Sequence, residues 1–497
     1  MSDFVISRFD ADIENVKILE QYSIGRVKIY ITEDGKYLVQ EPPLTHQAEI
    51  TLKKLMSNIH NSFPLEKTSS HDEIIPVLQQ ALEDESRKSD NFEIWKKEKE
   101  NIEYYLTRDI ANYSEIDVLI KDKYIEDILS VQWNKPITIV HKKFHEFTLL
   151  ETNIVFKSEK LMSKLIHRIS QRYGDPPNDL NPTTSFTNNE NIRFTFTDTK
   201  SITPDGPTMS IRKPSVDAIT IYHLLKGNML SLLSAAYLWI MMDLKGFGLI
   251  IGSPSAGKTT LINAALTMSN PRWHYYTIED ALELKLRHSQ VSRHQTKMNS
   301  SIHGNDSGKN TYDVFALCRL SLRFRPDFVI VGEVLGKEAE GLFQVASSGS
   351  GCISSFHASN ARHALTRLEA PPINISKTQT SLISYILHIS WITREKLRHR
   401  RILTITEPIP LEDDGKLKKK LKKVFKYNEK NDKLEPDDVE ELIEKSEKLK
   451  QAKIILGISN MKADLENRTN ILSKILENSI SDPKLISEEI FKYYKFS

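Results

Sequence analysis

The segment Gly252-Ser253-Pro254-Ser255-Ala256-Gly257-Lys258-Thr259 has the spacing G-x-x-x-x-G-K-[ST]. Glycines in such a loop let backbone N–H groups wrap a β-phosphate at a helix N-terminus. Lys258 neutralises the β/γ oxygens and Thr259 holds Mg²⁺, with Thr260 next to it at the start of the helix. The flanking residues agree, because the apolar Leu249-Ile-Ile precedes the loop and the helical Thr260-Leu-Ile-Asn-Ala-Ala-Leu follows it. ATP with Mg²⁺ is the ligand this pattern implies. Alone, it says only that a nucleotide is bound.

Three further segments add reaction chemistry. Phe328-Val-Ile-Val-Gly-Glu333 is an apolar strand ending in a carboxylate, placed to face the Mg²⁺ and an attacking water, although a strand-end glutamate taken alone is more often a cap. Thr277-Ile-Glu279-Asp280 ends a second apolar strand with acids that suit water-mediated Mg²⁺ contacts, and Asp280 also suits a helix N-cap. Ser354-Ser-Phe-His357 sets an imidazole just past a short strand, where it can donate to a γ-phosphate. The order of the four segments outweighs the structural reading of a lone histidine.

These groups need a scaffold. From Gly248 onward, short apolar strands (Gly248-Leu-Ile-Ile, Tyr275-Tyr-Thr-Ile, Phe328-Val-Ile-Val, Cys352-Ile-Ser-Ser-Phe) alternate with helical stretches, the pattern of an α/β domain whose parallel sheet is buried on both faces. At 497 residues the chain holds roughly three domains. We expect an α+β module over 1–70, with strands at Val27-Lys-Ile-Tyr-Ile-Thr and Tyr37-Leu-Val-Gln and a helix from Gln47 to Ile59. A helical linker over 71–111 and a second α+β (PAS-like) domain over 112–218 follow. The second domain has strands at Ile137-Thr-Ile-Val-His, Asn153-Ile-Val-Phe, Ile192-Arg-Phe-Thr-Phe-Thr and Thr208-Met-Ser-Ile-Arg and a helix from Ser158 to Tyr173. The ATPase domain spans 219–410, and a basic, helical segment spans 411–497. The lysines of that segment (Lys416, Lys418, Lys419, Lys420, Lys422, Lys423, Lys426) fit a solvated face better than a lipid- or partner-binding one.

Composition excludes little. Lys+Arg number 68 against 66 Asp+Glu, a net +2 that gives no support to nucleic-acid binding over the whole surface. Two cysteines, Cys318 and Cys352, cannot form a four-cysteine zinc module and read as buried thiols. The start of the chain lacks a signal peptide's basic and apolar regions, and the apolar run Met229 to Met242 is too short for a membrane span, so it reads as a buried helix.

The four segments in this order resemble the secretion ATPase superfamily, which drives type II secretion, type IV pili and the archaeal swimming filament, the archaellum. Glu41-Pro-Pro-Leu-Thr, Tyr104-Tyr-Leu-Thr-Arg-Asp, Tyr124-Ile-Glu-Asp-Ile, Thr203-Pro-Asp-Gly-Pro-Thr-Met-Ser-Ile-Arg-Lys and Leu322-Arg-Phe-Arg-Pro-Asp are similar to signatures of its archaeal branch. The resemblance implies a RecA-like P-loop domain preceded by α+β domains. It implies a homohexamer at the cytoplasmic face of the membrane, engaging a polytopic membrane platform protein and, indirectly, pilin- or archaellin-like subunits. It also implies roles. Glu333 polarises the attacking water, Glu279 helps set the Mg²⁺ shell and His357 senses the γ-phosphate. Arg193 and Arg212 of the N-terminal lobe close onto the phosphates, with Arg323 as a third arginine. The chain departs from the family where Leu335 stands for an arginine and Ser350 for a histidine, and at Val131-Gln-Trp-Asn-Lys and Asn178-Asp-Leu-Asn-Pro-Thr-Thr.

The alternative is a ring ATPase that translocates nucleic acid, with Arg293, Lys297 and Lys309 of the loop Ser289 to Asn310 facing it. Basic character is not concentrated as that reading needs, and no nucleic-acid partner is expected. A small-molecule kinase shares only the phosphate loop.

Overall fold

The computed structural model describes residues 6–496 except 15, 63–70, 88–91, 145–146, 215–218, 287, 297–311, 395–396 and 414–415. The chain forms two compact units, Met1–Val216 and Asp217–Ser497.

The first unit is built on one nine-stranded sheet, in the order β1-β2-β3-β6-β5-β4-β9-β8-β7. Its strands are β1 (Ile18–Ile24), β2 (Val27–Thr32), β3 (Lys36–Gln40), β4 (Ile125–Ser130), β5 (Thr138–His141), β6 (Leu150–Thr152), β7 (Thr183–Thr187), β8 (Arg193–Thr197) and β9 (Thr208–Arg212). The helices are α1 (His46–Ser62), α2 (His71–Arg87), α3 (Phe92–Lys97), α4 (Lys99–Leu106), α5 (Asp117–Lys121) and α6 (Glu159–Tyr173). Ser158 caps α6 by accepting from Leu161 N–H, and Met162, Leu165, Ile166 and Ile169 carry its apolar stripe into the sheet's core. Alternation on β8 sends Phe194 and Phe196 inward and Arg193 outward.

Two expectations change here. The boundaries near 70 and 112 fall inside one unit, because β3 pairs in parallel with β6 (Lys36 opposite Glu151, Tyr37 opposite Thr152) and fuses the two modules into one sheet. Asn153-Ile-Val-Phe is not a strand. The Asn153 amide accepts from Val39 N–H at 2.8 Å and donates to Val39 O at 2.9 Å, replacing the next ladder pair and ending β6 at Thr152.

The second unit holds a nine-stranded sheet in the order β12-β11-β13-β14-β10-β15-β16-β17-β18. In chain order its elements are α7 (Ile221–Lys226), α8 (Leu232–Asp243), β10 (Phe247–Ile251), α9 (Lys258–Leu266), β11 (Tyr275–Glu279), β12 (Val291–Gln295), α10 (Val314–Phe324), β13 (Phe328–Val334), α11 (Ala339–Ser347), β14 (Gly351–Phe356), α12 (Ala361–Glu369), α13 (Lys377–Thr380), β15 (Ile383–Arg394), β16 (Leu397–Asp413), β17 (Lys416–Asn428), β18 (Lys433–Glu435), α14 (Val439–Lys445), α15 (Glu447–Ile455), α16 (Met461–Glu477) and α17 (Pro483–Phe496). Strands β12 to β15 of that order run parallel and β16 to β18 antiparallel. All residues of β10, β11 and β14 are buried, as continuous apolar runs covered by helices on both faces require. Ile250 packs with α8 and α9 on one face, Leu249 and Ile251 with α10 and α11 on the other.

The expected boundary at 410 is absent. α8 is apolar all round and therefore needs cover on every side. Part of that cover comes from Leu465, Leu472 and Ile475 of α16 and Ile486 and Ile490 of α17, in the same core. Arg468 clasps Asp243 at 2.6 Å, and Tyr494 accepts from Trp239 Nε1 at 2.8 Å. The lysine-rich stretch, expected to lie in a helical segment, is strand β17. Lys419 pairs with Glu369 and Lys422 with Glu447, while Lys418, Lys420, Lys423 and Lys426 are exposed. Among the described residues no helix is long and apolar enough to cross a membrane.

Candidate nucleotide site

β10 ends at Ile251 and α9 begins at Lys258, so Gly252–Gly257 form the loop between strand and helix, as their spacing predicts. Two glycines are required by geometry. A Cβ on Gly252 would stand 2.4 Å from Ile389 O, and Gly257 has φ +94°, in the left-handed region. Ser253, Pro254 and Ser255 are exposed, Ala256 is buried, and Thr259 and Thr260 are half-buried in the first turn of α9.

Lys258 is 7% exposed. Its Nζ donates to Ser253 O at 3.1 Å and Gly252 O at 3.5 Å, and it lies 3.2 Å from His357 Nδ1. An ammonium only donates, so Nδ1 is the acceptor and the ring proton sits on Nε2, which donates to Glu333 Oε1. Burial holds the Lys258 pKa below the ordinary lysine value against the pull of Glu333's charge. The chain Lys258–His357–Glu333 thus joins three segments from the ends of three neighbouring strands, β10, β14 and β13. A bulge aims Glu333, because β13 and β14 pair Val331 with Ser354 but Glu333 with Ser355, leaving Gly332 as the extra residue.

Glu279 ends β11, the strand beside β13, and is 3% exposed. Its Oε2 accepts from Glu283 N–H and Leu284 N–H, both at 2.8 Å, while Oε1 is buried without a hydrogen-bond partner. Burial raises the carboxyl's pKa, and the two amides oppose the rise. A buried oxygen with spare acceptor capacity at the strand end fits a metal-bound water. Among the described residues no three His, Cys, Asp or Glu form a metal site.

Other expected residues are placed differently. No helix follows Asp280, which caps nothing and instead accepts from Thr296 Oγ1 at 2.8 Å. Arg323, on α10, is exposed and lies ahead of the start of β13, whereas Glu333 lies near its end. Strand rise separates them by about 20 Å, so the structure does not bring Arg323 to this site. In the first unit Arg193 and Arg212 are directly opposite on β8 and β9, both exposed, and Arg212 Nε donates to Asp127 at 2.9 Å. Arg293, named as a nucleic-acid contact, is exposed. It donates to Leu284 O and steadies the turn that holds Glu279. Lys297 and Lys309 lie outside the described residues. Of the two departures, Leu335 is exposed, and Ser350 donates to Pro326 O at 3.0 Å before β14 begins.

Two features escape sequence reasoning. Arg367 donates to His357 O from α12, fixing the backbone that carries the imidazole. The β15–β16 hairpin also stands against Gly252 and Gly257, and only strand register reveals it.

A sequence model of the type II/IV secretion system protein family matches residues 177–424. The uncharacterized protein MJ0900 of Methanocaldococcus jannaschii is 28% identical over 481 residues, covering 93% of this chain and 83% of that protein. The uncharacterized protein MJ1287 of the same organism is 30% identical over 267 residues, covering 52% of this chain and 93% of that protein. The ATPase DotB of Yersinia pseudotuberculosis, known by X-ray structure, is 13% identical with a TM-score of 0.41, over 75% of this chain and 92% of that one, a likeness too distant to add weight. With a phosphate-type loop between β10 and α9 and these matches, the chain belongs to the type II/IV secretion system protein family.

Proposed function

We propose that the chain is an ATP hydrolase that powers secretion, or the assembly or rotation of an archaeal pilus or archaellum. It does so as a homohexamer at the cytoplasmic face of the membrane, through a polytopic platform protein. The observation that carries the hydrolase reading is the chain Lys258–His357–Glu333, which links the phosphate loop to a strand-end carboxylate through one imidazole.

Gly252–Thr260 cradle the polyphosphate, with Lys258 on the β/γ oxygens. Mg²⁺, when bound with ATP, screens the phosphate charge, and Thr259 and Glu279 are the residues to hold it, Glu279 through water. Glu333 accepts hydrogen bonding from the attacking water and orients it in line with the γ-phosphate. As Lys258 turns from His357 Nδ1 to phosphate oxygens, His357 gives up an acceptor contact. Nucleotide state thereby reaches Glu333. Arg193 and Arg212, side by side on neighbouring strands with Arg212 paired to Asp127, supply positive charge to the phosphates in the working ring. Pilin- or archaellin-like subunits are then moved indirectly, through the platform.

Glu333→Gln tests this. Turnover falls about 10²- to 10⁴-fold with ATP binding kept, the range for loss of a general base. Wild-type turnover in that variant would sink the mechanism. Pull-down from membranes with the full chain as bait tests the platform. Salt-sensitive DNA binding with DNA-stimulated turnover would favour a nucleic-acid motor instead.

A further inference from the structure

A cationic hairpin beside the phosphate loop has no part in this mechanism. β10 pairs with β15 only as far as Ile251 opposite His388, yet β15 runs on to Arg394 and β16 returns from Leu397. The overshoot, residues 389–394 and 397–402, is a two-stranded wall next to the phosphate loop. Gly252 and Gly257 both lie against it. A Cβ on Gly252 would meet Ile389 O at 2.4 Å, and one on Gly257 would sit 3.5 Å from Arg400 Cδ.

On this wall Trp391 and Arg400 are directly opposite, both half-buried. The Arg400 guanidinium carbon is 4.4 Å from the Trp391 ring centroid, and that of Arg398 is 5.2 Å from it. Stacking on an aromatic face fixes the plane of a guanidinium, the group whose planar fork of N–H donors matches oxyanions. Arg401, next in sequence, grips both oxygens of Asp432 at 2.7 Å.

The position decides which part of a nucleotide would meet Arg400. His357 and Glu333 come from β14 and β13, on one side of β10, whereas the wall extends from β15, on the other. β14 and β15 are two strand spacings apart, about 10 Å. A γ-phosphate facing His357 and Glu333 leaves the α-phosphate and ribose to run toward the wall.

We propose that Arg400, held in place by Trp391, binds the α-phosphate and ribose side of the nucleotide, the part that ATP and ADP share. Arg400 is then a binding residue and Trp391 its positioning residue. The inference rests on the nucleotide-binding part of the reading above and not on its hydrolytic part.

Affinities of the full chain for ADP and for a non-hydrolysable ATP analogue, measured by calorimetry, test it. Arg400→Gln weakens both by a similar factor, about 10- to 100-fold, as loss of a charge-assisted hydrogen bond predicts. Trp391→Leu gives a smaller loss in both, and Trp391→Phe restores most of it by keeping an aromatic face. Arg400→Lys, which keeps charge but not the planar fork, falls between wild type and Arg400→Gln and serves if the glutamine variant is unfolded. ADP affinity within about twofold of wild type in folded Arg400→Gln, or an equal loss in Trp391→Phe and Trp391→Leu, would overturn the assignment. A wild-type chain that binds ADP in an Arg400-dependent way but never turns over ATP would sink the hydrolase reading and leave this one standing.

Discussion

Two ionic clusters, one in each unit, use similar residues to opposite ends. In the first unit Arg108 and Glu41 have side chains only 2% exposed, and nearly every polar atom is engaged. Glu41 Oε1 accepts from Arg108 at 2.6 Å and Tyr104 at 2.7 Å, and Oε2 accepts from Phe9 N–H at 3.0 Å. Arg108 also grips both oxygens of Asp109, at 2.7 and 2.9 Å. In the second unit the side chains of His357 and Glu333 are 30% and 38% exposed, and Lys258, His357 and Glu333 are joined by single links. Saturation marks a cluster that holds a fold together, and spare capacity at the edge of solvent marks one that reacts. The signatures Glu41-Pro-Pro and Tyr104-Tyr-Leu-Thr-Arg-Asp are therefore structural, a buried clasp between the approach to α1 and the end of α4.

The comparison breaks most visibly at Arg108. Arg108→Met leaves Glu41 and Asp109 buried without their cation and lowers stability by about 3–5 kcal/mol in urea unfolding, with turnover per folded molecule unchanged. His357→Ala should do the reverse, abolishing turnover at a stability cost under about 1 kcal/mol. If Arg108→Met unfolds at the wild-type midpoint, saturation is not what separates the two clusters.

A histidine tests burial without saturation. His288 lies against the Tyr275 ring, centroids 4.2 Å apart, with Ser269 Oγ at 3.3 Å from Nε2 and no hydrogen-bond partner at Nδ1. Burial pushes its pKa down from 6.5 to about 4. The unfolded chain takes up this proton near pH 6.5 and the folded chain only near pH 4, so stability is full above pH 6.5 and falls as pH drops through that window. The expected loss is about 3 kcal/mol over that window, and His288→Gln removes that part of the pH dependence in thermal melts.

What the sequence makes legible follows the range of the interactions. Gly248–Ile251, Tyr275–Ile278 and Phe328–Val331 read as parallel strands because they are apolar throughout, and the phosphate loop reads from its own glycines and lysine. Glu333 and His357 are recognisable because each sits at the end of such a strand. Domain boundaries fail because the joint of β3 and β6 rests on a few residues more than 110 positions apart, Lys36 and Tyr37 against Glu151 and Thr152. β17 hides behind its lysines, of which Lys419 reaches Glu369 and Lys422 reaches Glu447 while Lys418, Lys420, Lys423 and Lys426 are exposed. Arg323 misleads because ten positions along the chain include the whole climb of β13. Arg400 and Trp391 carry no motif at all. Only antiparallel register sets them face to face.

The smallest effect bears on the loop itself. A methyl on Gly257 meets Arg400 Cδ at 3.5 Å and Ile389 Cδ1 at 3.8 Å, ordinary contacts, so space does not forbid alanine there. Backbone does, because φ +94° costs a residue with a Cβ roughly 1–2 kcal/mol. Gly257→Ala should lower stability by about 1 kcal/mol, or less if the loop relaxes to another conformation. Relaxation would turn the backbone N–H groups away from the phosphates, so the smaller the stability loss, the larger the expected loss of ADP affinity. Unfolding and ADP binding measured on the same variant separate the two routes. A variant that keeps both wild-type stability and wild-type affinity would show that the reactive cluster does not depend on the left-handed turn at its centre.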